Sequence, residues 1–143
     1  MQESFLNTAL GGAVTFRRFI IPYTDLTTAA TSMNVALCTL SKGSVILGVR
    51  IKHSTAFAGA GPWTTCVVSV GTTIGSAYAA FASAFDVFQA VADTTLQETA
   101  QFKSTSYTAI PLVARFTASH NCSVATAGQV EIDILYLNMT TPL

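Results

Sequence analysis

Two stretches of strict alternation constrain this chain more than any other feature. Val45, Leu47, Val49 and Ile51 alternate with Ile46, Gly48 and Arg50. Near the end, Val130, Ile132, Ile134 and Tyr136 alternate with Glu131, Asp133, Leu135 and Leu137. Positions two apart share one face of a strand, whereas a helical wheel scatters them around its axis. Both stretches are therefore predicted strands with one face turned inward. Leu112, Ala114 and Phe116 against Val113, Arg115 and Thr117 repeat the pattern. This phase puts Ile46, Val113, Leu135 and Leu137 on outer faces, where apolar side chains need cover from a loop or from another subunit.

The rest of the chain reads as further short strands between turn signals. Val14 to Tyr23 is rich in β-branched and aromatic residues, and Pro22 ends it or marks an edge. Met33, Val35 and Leu37 share a face, Ser41-Lys42-Gly43 is a turn, and Cys66, Val68 and Val70 line another strand. Leu96 to Phe102 is a weaker, polar strand. Phe81, Phe85 and Phe88 follow i, i+4, i+7 spacing among alanines, which predicts a short helix or helical turn over Phe85–Gln89; a buried strand plus loop is the alternative. The sum is an all-β, antiparallel β-sandwich of about eight strands with at most one short helix. Gly11-Gly12 breaks the chain before the first strand. Residues 1–12 are therefore expected to form an N-terminal arm, and 13–143 one domain. Phe5, Leu6 and Leu10 give that arm apolar anchors, to cross onto a neighbour or to fold back.

Composition says what surrounds such a sandwich. Only 10% of residues are charged, against roughly 25% in ordinary soluble domains. Seven basic residues balance seven acidic ones. A free monomer so poor in charge lacks the repulsion that keeps proteins apart, so subunit packing is the expectation. Nucleic acid is excluded as a partner for want of a basic footprint beyond Arg17-Arg18. No run approaches the roughly 18 apolar residues of a spanning helix. Met1-Gln2-Glu3-Ser4 does not read as a secretory start. Cys38, Cys66 and Cys122 are three widely spaced thiols, which argues against a disulfide framework or a zinc knuckle.

Catalytic templates find little to hold. His53 continues the inward set of its strand and reads as a core histidine with a hydrogen-bond partner. His120 and Cys122 are two residues apart, whereas a zinc site needs three or four ligands. Glu131 and Asp133 share one outer face. Glycoside hydrolysis would need such a pair held across a cleft, and a polar edge is the simpler reading. No nucleophile elbow, P-loop or dinucleotide fingerprint is present, and no cofactor is expected. Phe57 and Trp63 flank a glycine-rich loop, Phe57-Ala58-Gly59-Ala60-Gly61-Pro62. Loop aromatics can anchor an interface, while a lone tryptophan more often caps the end of its own core, the role slightly favoured for Trp63. The candidate subunit-interface residues are thus Phe5, Leu6, Leu10, Phe57, Trp63, Leu135 and Leu137.

Three stretches carry a family resemblance. Phe19-Ile20-Ile21-Pro22-Tyr23-Thr24-Asp25-Leu26 leads into Leu37-Cys38-Thr39-Leu40-Ser41-Lys42-Gly43. Val49-Arg50-Ile51-Lys52-His53 precedes Phe57-Ala58-Gly59 and Val68-Ser69-Val70-Gly71-Thr72. Ala114-Arg115-Phe116-Thr117-Ala118-Ser119 is followed by Ala127-Gly128-Gln129-Val130-Glu131-Ile132. On these the chain resembles tailed-bacteriophage virion proteins with a single jelly-roll domain. The resemblance implies a jelly roll and a non-enzymatic structural role in the virion, assembled in the bacterial host cytoplasm. Such proteins commonly serve as capsid decoration or cement proteins, often trimers, whose partners are the major capsid protein and copies of themselves. Others are neck, tail or fibre modules that bind a host-surface ligand. The arm departs from the common pattern, so its role rests on composition alone.

Overall fold

The computed structural model describes residues 13–88, 96–104 and 109–138, with side chains for 14–88 and 109–137. Its strands are β1 (Ala13–Pro22), β2 (Ser32–Leu40), β3 (Val45–Gly59), β4 (Cys66–Thr72), β5 (Ala82–Asp86), β6 (Leu96–Ser104), β7 (Ile110–Ala118) and β8 (Ala125–Asn138). They form two four-stranded antiparallel sheets, in the orders β1-β8-β3-β6 and β2-β7-β4-β5. The chain passes between the sheets at nearly every connection, which winds them into a jelly roll.

The inner faces fill the space between the sheets with Ile51, Ile132 and Ile134 from one side and Val68, Val70 and Leu112 from the other, all essentially inaccessible. Phe57 on β3 meets Phe116 on β7 with ring centroids 5.5 Å apart and planes tilted by 46°. Aromatic pairs in tilted geometry add to simple area burial, so this contact ties the sheets at one end. His53 is fully buried with its ring 5.8 Å from Phe85.

Three expectations need correction. The alternation over 45–51 is real, but its phase changes. Against β8, a register shift between Ile46 and Gly48 puts an extra residue, Leu47, into β3. A bulge reverses which residues point inward, so Ile46 is buried along with Val49, Ile51 and His53, while Leu47 is only half-buried.

The helical turn over Phe85–Gln89 is not formed in its described part. Residues Ala82–Asp86 are strand β5, with Phe85 opposite Val68 and Asp86 opposite Val67. The Phe81 N–H donates to the Val70 carbonyl at 3.0 Å, and the Val87 N–H to that of Cys66 at 3.0 Å. The open edge of β4 satisfies this backbone directly, and such pairing overrides the weak helical preference of alanine.

Phe57 is the third correction. It stands in β3 rather than in a loop, at 1% exposure, so it is no surface anchor. Phe5, Leu6 and Leu10 lie outside the described residues, as does Gln89.

Candidate functional site

The two outer faces of the sandwich are unlike. That of β2-β7-β4-β5 is partly covered by its own chain, around Ser69, Gly71 and Val113. Residues 73–80 fold back across it, with the Ser69 hydroxyl donating to the Tyr78 carbonyl at 3.0 Å and the Thr72 N–H to that of Ala77 at 2.9 Å. Gly71 makes this approach possible, because a side chain there would run into the Ala77 carbonyl. The Arg115 guanidinium lies 4.2 Å from the centre of the Tyr78 ring and donates to Asn34 and Ser32. Val113, expected on an outer face, is beside Gly71 in register and 5% exposed under this cover.

The outer face of β1-β8-β3-β6 carries most of the large exposed apolar side chains among the described residues. Val14, Phe16, Ile20 and Leu135 are 50%, 57%, 55% and 37% exposed. Register explains the grouping. Phe16 pairs with Leu135, Val14 with Leu137 and Ile20 with Glu131, so all stand on one face. Leu135 and Leu137 were expected there. Val14, Phe16 and Ile20 were not singled out, because both faces of β1 read alike. Val14, Phe16, Arg18 and Ile20 alternate with Thr15, Arg17, Phe19 and Ile21, and each set has three non-charged members and one arginine.

An ionic cluster interrupts the apolar stripe. Asp133 on β8 is opposite Arg18 on β1 and Arg50 on β3. Its carboxylate accepts Arg18 Nε at 2.8 Å and Nη2 at 3.0 Å, Arg50 Nε at 3.0 Å, and also Arg50 Nη2. The Arg18 hydrogen bonds, reinforced by those of Arg50, hold the Asp133 carboxyl below its usual range in spite of its burial. The same contact raises the Arg18 guanidinium. Both arginine side chains are 45% exposed, whereas that of Asp133 is 7% exposed. Arg18 also lies 5.8 Å from the centre of the Phe16 ring. Lys52 and Glu131, one register step away, complete a depression of about 400 Å³.

Chemically this is a polar clamp within an apolar face. Asp133 is held ionised, so it offers no protonated carboxyl at neutral pH for the acid step of glycoside cleavage. His120 and Cys122 are not joined by further ligands, and among the described residues no group of three or more His, Cys, Asp or Glu is placed to hold a metal. Nor is any described helix long and apolar enough to cross a membrane.

Trp63 is 6% exposed and belongs to the core. Its indole lies against Gly59, where an added Cβ would come within 2.5 Å of Trp63 Cδ2, and its Nε1–H donates to the Asn121 carbonyl at 3.1 Å. Like Phe57, it is unavailable as a surface anchor in this chain.

No protein-family model matches the sequence, and no curated protein matches it. Solved structures do match the fold. A chain of the cyanophage Pam1 capsid asymmetric unit is similar with a TM-score of 0.62 and 22% identity, over 89% of this chain and 86% of that one. A chain of the acidic stable capsid of Helicobacter pylori bacteriophage KHP30 is similar with a TM-score of 0.57 and 14% identity, over 89% of each. Likeness at these identities is a likeness of fold.

Proposed function

We propose that this chain is a structural protein of a bacteriophage virion, acting as a capsid decoration or cement protein. The observation that carries this reading is an uncovered apolar face on a jelly roll. Phe16, Ile20, Val14 and Leu135 are left in solvent by one sheet, while the opposite sheet is partly covered by residues 73–80 and exposes no large apolar side chain of its own strands among the described residues. Contiguous apolar surface of this kind marks a packing surface. The whole-length similarity of fold to chains of two phage capsids supports a shell as the setting.

The mechanism is mechanical. The outer face of β1-β8-β3-β6 buries against a neighbouring subunit of the shell, drawn from the major capsid protein and copies of this chain. The Arg18–Asp133–Arg50 clamp fixes the charges of that face. Many modest contacts repeated by symmetry then sum to a stable coat. No catalysis is assigned.

The test is the copy number of the chain in purified particles, by quantitative mass spectrometry against the major capsid protein. A simple fraction of the major capsid protein supports decoration or cement. A handful of copies moves the chain to neck, tail or fibre, and absence removes it from the virion.

A further inference from the structure

The strands of the partly covered sheet carry a single basic residue, Arg115, and a single acidic one, Asp86. Register keeps the two apart. Arg115 is beside Ser69 on β4, whereas Asp86 is beside Val67, two strands and one row away, or about 12 Å. Asp86 instead accepts the Phe88 N–H at 2.8 Å. Among the described residues the ion pairs are those of Arg18 and Arg50 with Asp133, so Arg115 meets only neutral partners.

Those partners leave it unsaturated. Nη1 donates to Asn34 Oδ1 at 3.2 Å and Nη2 to Ser32 Oγ at 3.0 Å, which leaves three of the five guanidinium N–H groups. A guanidinium can only donate. The Asn34 amide must therefore turn its oxygen to Arg115 and its NH2 group away, and the Ser32 hydroxyl, accepting here, keeps its own proton to give. Thr117, opposite Ser32 in register, adds an exposed hydroxyl. Arg115, Asn34 and Ser32 are each half-buried, so this surplus of donors gathers around a fixed positive charge that solvent still reaches.

The group is held in place before any ligand arrives. The Tyr78 ring lies against the guanidinium, its centre 4.2 Å from Cζ. Tyr78 is in turn fixed by the Ser69 hydroxyl on its carbonyl at 3.0 Å and by Gly71, which has no room for a side chain beneath it. A donor set fixed in advance binds without a large ordering cost.

We propose that Arg115, Asn34, Ser32 and Tyr78 form a binding site for an acidic saccharide, a sugar that carries a carboxylate. The carboxylate takes the remaining guanidinium edge, whose planar fork matches it, and the Asn34 NH2 group. The sugar hydroxyls take Ser32 and Thr117, and the half-buried Tyr78 ring offers an apolar flank to its C–H face. An acidic protein side chain is the poorer fit. The strands of this sheet expose no large apolar residue among those described, and a protein partner gains most of its affinity from such anchors. The site is on the sheet opposite Phe16 and Ile20, so it does not depend on the virion reading.

The test is a titration of the full chain followed by two-dimensional NMR at constant ionic strength. The probes are glucuronate, glucose, and blocked glutamate (its α-amine acetylated and its α-carboxyl amidated). Glucuronate should bind at least about tenfold more tightly than either of the others, moving the Asn34 side-chain and Tyr78 signals. N34D is the decisive variant. It keeps an acceptor for Arg115 and makes the contact an ion pair, so thermal stability should be no lower than wild type, yet glucuronate binding should fall at least about tenfold because the new carboxylate takes the ligand's place.

No binding of glucuronate, equal binding of glucose, or signals that move around Arg18 and Arg50 instead would each overturn the site. Blocked glutamate binding as well as glucuronate would make the partner a protein and overturn the saccharide. Folded N34D that binds as wild type does would leave Arg115 as no more than a fastener of residues 73–80. The wild-type comparison of probes decides the matter even where a variant does not fold.

Discussion

Gly128 lies directly under the ring of Phe57. A Cβ built there would come within 2.5 Å of Phe57 Cδ1, and the residue has φ +135°, a region that side chains avoid. The β8 backbone thus approaches the aromatic contact between the sheets as closely as it can. Gly128→Ala is expected to destabilise the fold by about 2–4 kcal/mol through strain and overpacking. Chemical denaturation would show this as a lower midpoint at unchanged slope.

Phe57 itself is fully buried, and truncating it leaves Phe116 facing a void. Phe57→Ala should cost about 3–5 kcal/mol. An interface anchor would behave in the opposite way, with native stability of the isolated chain and a loss confined to assembly. The two are separated by measuring unfolding of the purified chain.

Trp63 is the only tryptophan and is almost wholly buried. Its native fluorescence should be blue-shifted and should move red on unfolding. Trp63→Phe keeps most of the ring but leaves the Asn121 carbonyl without its donor, an expected loss of about 1 kcal/mol. Thermal unfolding followed by circular dichroism checks the cost.

Asp133 should govern the acid limb of stability. The Arg18 hydrogen bonds, then those of Arg50, put its folded value below the ordinary 3.8. The folded state therefore binds fewer protons than the unfolded chain as pH falls past that value. The clamp's contribution is fully present above about pH 4–5 and is lost as pH drops through the depressed folded value. Asp133→Asn should be less stable than wild type at neutral pH, and the gap should narrow towards pH 2. A gap constant across pH would show that the clamp acts by packing alone.

How much of this was legible in the residues depends on the link concerned. The sandwich was legible, because Val130–Tyr136 and Leu112–Thr117 alternate without interruption. The phase at Ile46 was not, since a bulge adds a residue to the backbone without any mark in the side-chain pattern. The Phe81, Phe85, Phe88 spacing mimicked a helix because Phe81 lies just before β5 and Phe88 just after it. The clamp was invisible for a different reason. Arg18 is 115 residues and Arg50 83 residues from Asp133, and only strand register brings them together.

Reactivity of the thiols should follow burial. Desolvation in the core, with Cys122 and Asp86 nearby, pushes the Cys66 thiol up to about 12. Cys66 and Cys122 are both inaccessible, whereas Cys38 is half-buried. In the native chain at pH 8 a thiol reagent should modify Cys38 first, and the other two only on unfolding. Peptide mapping after timed labelling reads the order.

On the open face, Phe16→Ser and Ile20→Ser should leave stability within about 0.5 kcal/mol, because each is more than half exposed. Incorporation into particles should fall nonetheless, most in the double variant. Equal occupancy of wild type and double variant on particles stripped of the chain would show that this face is not the one that packs.

The partial cover of one sheet by residues 73–80 gives the molecule a front and a back. Gly75, at the crest of that loop, has open space where a side chain would begin, and Ile74 beside it is half exposed. Phe16 is on the far side, beyond both sheets. A peptide inserted at Gly75 would stand clear of the packing face, with a whole sandwich between cargo and contact. The chain is thus laid out as a display scaffold with its attachment and presentation sides already separated.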